Sequence, residues 1–169
     1  MDTRPHRRQA VRHRPRAARF GSGRADRRAV DPKQAPDLHI WGGLDQKRAL
    51  AQVEVVFDER VPVFASGLGS PAFLLKRAHQ LGMQVWGLVG KPKQAKKQIA
   101  AGTDVIIAQG FDAAGHTGNI GTFSIVPQIA DAARAAGVPV LAAGGVTTGR
   151  HLAAALVLGA SGVWTGSLW

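Results

Sequence analysis

The chain contains no cysteine, and it has no long hydrophobic run. Without cysteine, a disulfide framework and thiolate chemistry are excluded. No segment approaches the roughly 18 consecutive apolar residues of a membrane-spanning helix, and the first residues lack the apolar core of a secretory signal. We therefore expect a soluble, cytoplasmic protein with no membrane partner.

Acidic residues are also scarce, and the excess of positive charge is concentrated near the start. The chain has 22 Lys and Arg against 11 Asp and Glu, a net charge of +11. Residues 1–36 hold ten Arg, one Lys and three Asp, so they account for +8 of that excess. This segment shows no lasting apolar period, which predicts a disordered basic tail before a domain at 37–169.

Two interpretations of the basic tail follow from its composition. One is an arm that binds nucleic acid or another partner; the other is a solvated extension, or a start site placed upstream of the true coding segment. The tail has no Tyr or Trp, and Phe20 is its one aromatic residue, so it offers no platform on which bases could stack. This favours the solvated extension and argues against a nucleic-acid partner.

From residue 37 onward, short apolar runs alternate with helical patterns. The predicted strands are VPVFASG, QVWGLVG, DVIIAQG, VPVLAAGG and SGVWTGS, which occupy 61–67, 84–90, 104–110, 138–145 and 161–167. Helical segments separate them, and Pro127 is expected to interrupt the early turns of the helix between the third and fourth strands. Buried strands joined by helices predict an α/β protein with a parallel sheet. Both a doubly wound open sheet and a (β/α)8 barrel satisfy this order.

In either architecture, functional residues gather where the parallel strands end. The fourth strand ends at Gly144 and Gly145, and the fifth at Gly166 and Ser167. Small residues there let a phosphate group approach backbone N–H groups, although glycines also make tight turns between strand and helix. Because two successive strands end this way, a phosphate site is favoured.

The third strand is followed by a glycine-rich segment, AQGFDAAGHTGNIG, which contains His116. An imidazole at a strand end can remove a proton from carbon or stabilise a developing anion. It can equally be a loop histidine bonded to a backbone carbonyl. Gln109 ends the same strand, where its amide could pair with a flavin edge or bond to the neighbouring backbone. No second ligand lies at metal-binding spacing, so no metal site is expected.

These motifs together resemble the nitronate monooxygenase family, also called 2-nitropropane dioxygenase-like proteins. The resemblance rests on DVIIAQGFDAAGHTG, GTFSIVPQIADA and VPVLAAGGVTTGRHLAAALVLGASGVWTGS, and it covers about residues 40–169. It implies a (β/α)8 barrel that binds FMN and oxidises alkyl nitronates with O2 to a carbonyl compound and nitrite. The chain would supply about strands four to eight of that barrel.

The resemblance also implies roles for individual residues. His116 matches the active-site histidine, which acts on the nitro compound as a base or anion stabiliser. The implied flavin contacts are Gln109, Ala114, Gly115, Gly144, Gly145, Thr165, Gly166 and Ser167. Ala114 stands where the family usually has glycine, which places a methyl group beside the flavin.

The family's first three strands have no counterpart in the chain, so we interpret the sequence as a fragment or a misassigned gene model. Self-association through unpaired sheet edges is then expected. Two other functions remain open at this point. One is a flavin-dependent enoyl-acyl-carrier-protein reductase, which is similar in the same Gly-His turn and AAGG strand. The other is a non-catalytic protein whose basic arm binds nucleic acid or a partner.

Overall fold

The computed structural model describes residues 46–166 except residue 68. The predicted basic tail and Ser167 lie outside the described residues. Helices and strands alternate in the order α1 (Gln46–Asp58), β1 (Val63–Ser66), α2 (Ala72–Gln80), β2 (Gln84–Val89), α3 (Pro92–Ala101), β3 (Val105–Gln109), α4 (Thr122–Arg134), β4 (Val140–Ala143), α5 (Gly149–Val157) and β5 (Gly162–Trp164).

The order of the strands decides between the two architectures that the sequence leaves open. All five strands are parallel, and they lie side by side in chain order, β1-β2-β3-β4-β5. Right-handed crossovers that always advance in one direction place every helix on the same face of the sheet. A doubly wound sheet would require the order to reverse. The structure is therefore an arc of a (β/α)8 barrel, as the resemblance implies.

The helices pack on one face of this arc in two clusters of buried apolar side chains. The larger cluster joins α3, α4 and α5 to β2, β3 and β4, with Ile125 and Ile129 fully buried against Ile106. The smaller cluster joins α1 and α2 to β1 and β2 around Phe57, Leu74 and Val85.

Two tryptophans meet on the opposite face of the sheet. Trp86 on β2 and Trp164 on β5 meet edge to face, with ring centroids 6.0 Å apart. Since β3 and β4 lie between these strands, the two indoles reach towards each other across the concave side of the arc. Ile107, at the centre of β3, has 0% exposure although its side chain points to the face without helices.

One expectation about α4 is wrong. Proline lacks the backbone N–H, so Pro127 was expected to interrupt the helix, yet α4 runs without a break over 13 residues from Thr122 to Arg134. Buried apolar residues on both sides of Pro127 hold this helix against the sheet, among them Val126 and Ile129. Tertiary packing therefore outweighs the local preference of proline.

Candidate active site

The carboxyl ends of β3, β4 and β5 meet at one edge of the sheet and are joined by hydrogen bonds. The Gly110 N–H donates to the Ala143 carbonyl at 2.9 Å, and the Thr122 hydroxyl donates to the same oxygen at 3.2 Å. Ala143 in turn is paired in register with Trp164. The residues that follow these strands, including Gly144 and Thr165, therefore lie close together at this edge.

The segment between β3 and α4 folds back over the strand ends. The Gln109 amide donates to the Ala114 carbonyl at 3.3 Å, which holds the start of the Gly-His turn against the end of β3. Gly115 adopts a positive φ of 80°, where a side chain is strained. This turn presents His116 on the exposed side of the loop.

Asp112 fixes the other end of the same loop by capping α4. Its carboxylate accepts a hydrogen bond from the Thr122 backbone N–H at 2.7 Å, at the first residue of the helix. The hydrogen bond from the Thr122 backbone N–H is the main cause that lowers the pKa of Asp112 below its usual 3.8, and the neighbouring Thr122 side chain lowers it further. A negative charge at this position also interacts favourably with the helix dipole.

Replacing Asp112 with alanine is expected to lower the free energy of unfolding by about 1 kcal/mol at neutral pH, a usual effect for a lost helix cap. The folded pKa of Asp112 is lowered, so its contribution is fully present above pH 3.8 and is lost as the pH falls through the folded pKa. Urea unfolding of both proteins at pH 7 and near pH 3 measures this. A difference that stays constant with pH would contradict the assignment.

His116 and Gln109 line the same cavity, which has a volume of about 500 Å³. Cavities of this size accommodate small-molecule ligands. Segments that follow β1, β2 and β3 form its wall, and close contact between two of these segments depends on glycine. A Cβ at Gly118 would come 2.5 Å from the Gly90 carbonyl oxygen, so the two backbones could not approach if either residue had a side chain.

The glycines that follow β4 and β5 lie at the same edge but do not line this cavity. Gly144 has a φ of 108°, and a Cβ there would come 2.7 Å from both the Ala113 nitrogen and the Thr122 hydroxyl oxygen. A Cβ at Gly145 would be 3.3 Å from the Asp112 Cβ. At Gly166, by contrast, no atom of the described residues lies within 4 Å of the Cβ position. Open space for a ligand therefore adjoins Gly166, whereas Gly144 serves the packing of the loop.

Sequence reasoning missed the contribution of α3 to the cavity. Lys91, Gln94, Lys97 and Gln98 all line it, although in the sequence they belong to KPKQAKKQIAAG, a lysine-rich helical pattern with no motif typical of a site. Gln94, Lys97 and Gln98 follow Lys91 by three, six and seven residues, a spacing that places all four on one face of a helix. This spacing is the feature of the sequence from which a shared polar surface could have been predicted.

The described residues offer neither a metal site nor a membrane-spanning helix. Within the described residues, no group of three or more His, Cys, Asp or Glu side chains is placed to hold a metal ion. No helix in the same part of the chain has the length and apolar character needed to cross a membrane.

The family model named nitronate monooxygenase matches residues 25–169. This match begins inside the segment predicted to be the basic tail, so part of that segment aligns with the family.

Individual relatives agree with the family match. The protein Rv1533 of Mycobacterium tuberculosis, which is named a monooxygenase, is 47% identical to this chain. The match covers 69% of this chain and 31% of Rv1533. A 5-hydroxy-7a-methyl-1-oxo-octahydro-1H-indene-4-carboxyl-CoA dehydrogenase of the same organism is 40% identical over 69% of this chain and 33% of its own length. The chain thus spans about a third of the length of these curated relatives.

Solved structures show the same fold. FabK from Thermotoga maritima superposes with a TM-score of 0.65 and 35% identity over 69% of this chain and 36% of its own. Nitroalkane oxidase from Streptomyces ansochromogenes superposes with a TM-score of 0.66 and 31% identity over 75% of this chain and 39% of its own. Both are TIM-barrel enzymes. With a family match over most of its residues, the chain belongs to the nitronate monooxygenase family of flavin-dependent oxidoreductases.

Proposed function

We propose that the chain forms part of an FMN-dependent nitronate monooxygenase, which oxidises alkyl nitronates with O2 to a carbonyl compound and nitrite. The observation that carries the proposal is that His116 and Gln109 line one cavity at the carboxyl edge of the sheet, where β1, β2 and β3 end. Active sites of (β/α)8 barrels lie at this edge. The family match supports the choice of reaction.

The residues at the edge fit an FMN group in two respects. Among residues 46–166, none fills the space beside Gly166, so a phosphate could approach the backbone there, next to Thr165 and the proposed contact Ser167. Gln109 uses an amide hydrogen to hold Ala114, and its amide oxygen can accept a hydrogen bond from a flavin ring. In this proposal Ala114 and Gly115 lie beside the cofactor, and Gly144 and Gly145 contribute by letting the loop between β3 and α4 pack closely against the strand ends.

In this proposal the chain's own residues position the substrate and control a proton. When bound, FMN supplies the one-electron redox chemistry that links the nitronate to O2. An imidazole nitrogen of His116 accepts the proton from the α-carbon of a nitroalkane, or donates a hydrogen bond to an oxygen of the nitronate. Its place on an exposed loop above the cavity gives it access to a bound molecule from the solvent side.

The similarity to a CoA-thioester dehydrogenase favours a second candidate, a flavin-dependent enoyl-thioester reductase. The two reactions differ in their co-substrates. Nitronate-dependent uptake of O2 identifies the first, and consumption of NAD(P)H with an enoyl thioester identifies the second.

The open space at Gly166 provides a test of cofactor binding. Replacing Gly166 with valine is expected to weaken FMN binding by about tenfold, equivalent to about 1.4 kcal/mol, because the side chain fills the space proposed for the phosphate. Replacement with alanine should have a smaller effect. Titration of the chain with FMN, followed by flavin fluorescence, measures both affinities.

Ser161 supplies the control because it lies at the opposite end of β5 and is exposed. Ser161→Val adds bulk next to the same strand, away from the proposed site, and should leave FMN affinity unchanged. Equal affinity for FMN in the wild type and in Gly166→Val would rule out a phosphate at this position.

A further inference from the structure

The cavity beside His116 has a positively charged wall. Lys91 and Lys97 line it, and none of the described residues that line it is acidic. Both lysines are exposed, so their ammonium groups remain hydrated. The cavity therefore attracts an anionic group and repels a cation.

The start of α3 adds to this positive potential. Lys91 occupies the N-cap position with extended backbone, and its side chain does not cap the helix. Pro92 follows, and the first turn has no acidic residue to balance the positive end of the helix dipole. Gln94 accepts a hydrogen bond from the Gly90 N–H at 3.0 Å, which fixes the turn between β2 and the helix.

A buried amide independently indicates a ligand. Gln98 is only 4% exposed and lines the cavity, yet its side-chain oxygen Oε1 has no hydrogen-bond partner among the described residues. It packs against Gly87, where a Cβ would collide with that oxygen. Buried acceptors are nearly always paired, because an unpaired one loses its hydration without compensation. The oxygen is fully buried against Gly87, so a donor group of a ligand would satisfy it once the Gln98 amide turns towards the cavity.

We infer that this cavity binds the anionic tail of a substrate. A carboxylate or phosphate group is held by Lys91, Lys97 and the start of α3, and an O–H or N–H group of the same tail donates to Gln98 Oε1. The inference rests on the proposed function only in calling the ligand a substrate. A purely aliphatic tail would leave Gln98 unpaired and the lysines without a counter-charge, so the site disfavours simple alkyl groups.

Four small probes test the two halves of the inference separately. They are 4-hydroxybutanoate, 4-hydroxybutyl phosphate, butanoate without a donor, and neutral 1,4-butanediol. Binding to the full chain can be followed by NMR through the Gly90 backbone amide and the Gln98 side-chain amide. We expect the two hydroxylated anions to bind about tenfold more tightly than 1,4-butanediol at low salt, which is the combined effect of two charges and a helix end.

Variants on α3 assign the effect to individual residues. Lys97→Met should weaken binding of both hydroxylated anions about threefold and leave 1,4-butanediol unchanged. Lys96→Met is the matched control, since Lys96 is exposed on the same helix and does not line the cavity. Gln98→Leu should abolish the preference for 4-hydroxybutanoate over butanoate. Its unfolding curve confirms that the variant is folded, because leucine fills a similar buried volume.

The outcomes separate this inference from the proposed function. Preference for the carboxylate or for the phosphate identifies the natural group, and either supports the anion site. Equal affinity for anionic and neutral probes, or equal effects of Lys97→Met and Lys96→Met, would overturn it. A chain that binds the anions but neither binds FMN nor consumes O2 with a nitronate refutes the proposed function alone.

Discussion

Replacing His116 with alanine is expected to slow nitronate-dependent O2 uptake by about a hundredfold to ten-thousandfold, the usual range for a lost general acid or base. His116 shares the cavity with Gln109, and an imidazole is the side chain that most often serves as a general acid or base in enzymes. FMN affinity should change by less than about twofold, because the turn that carries His116 is held through Gln109 and Ala114 instead.

The measurement is O2 uptake by the FMN-reconstituted chain with an alkyl nitronate, followed with an oxygen electrode. His79→Gln is the control, since His79 is an exposed histidine on α2 that pairs with Asp104 outside the cavity. A His116→Ala protein as fast as the His79→Gln protein would remove His116 from the reaction. Absence of nitronate-dependent uptake in the unmodified chain would contradict the proposed function itself.

Replacing Gly144 with alanine is expected to lower the free energy of unfolding by about 3 kcal/mol or more, one of the larger effects for a single methyl group. Two penalties add at this position. The backbone φ of 108° is unfavourable for any residue with a side chain. The new methyl group would also lie 2.7 Å from a backbone nitrogen of the loop between β3 and α4, which cannot move aside as a flexible side chain could.

Gly137 separates the two penalties. It also has a positive φ, 64°, but no atom of the described residues lies within 4 Å of its Cβ position. Gly137→Ala should therefore show the backbone penalty alone, about 1 kcal/mol. Urea unfolding of both variants measures the difference. Equal destabilisation by the two substitutions would mean that the close contact at Gly144 is relieved at no energetic cost.

The secondary structure could be predicted from the sequence because every strand is a short apolar run bounded by helical patterns. The five predicted strands contain the observed ones, from Val63–Ser66 to Gly162–Trp164. The sequence of a single strand does not show on which side of it the next strand will pair. The choice between an open sheet and a barrel could therefore not be made from individual segments. It depends on which strands become neighbours, and only the family resemblance anticipated the result.

Residues of the candidate site could be predicted where a reactive or polar side chain directly follows a buried strand. His116 and Gln109 stood out because a glycine-rich segment follows a buried strand, and the structure places both in one cavity. Gln98 could not be found in this way. Its burial results from contact with Gly87 on a neighbouring strand, and in the sequence it is one more polar residue of a lysine-rich helix.

The edge-to-face contact of Trp86 and Trp164 connects two strands that are not neighbours in the sheet. Trp86 belongs to the strand that leads into the lysine-bearing helix, and Trp164 directly precedes Thr165 and Gly166. This contact joins β2 to β5 directly on the concave side of the arc. It therefore links the strand next to the proposed anion site directly to the strand next to the proposed cofactor site, and favours a constant distance between the two ligands.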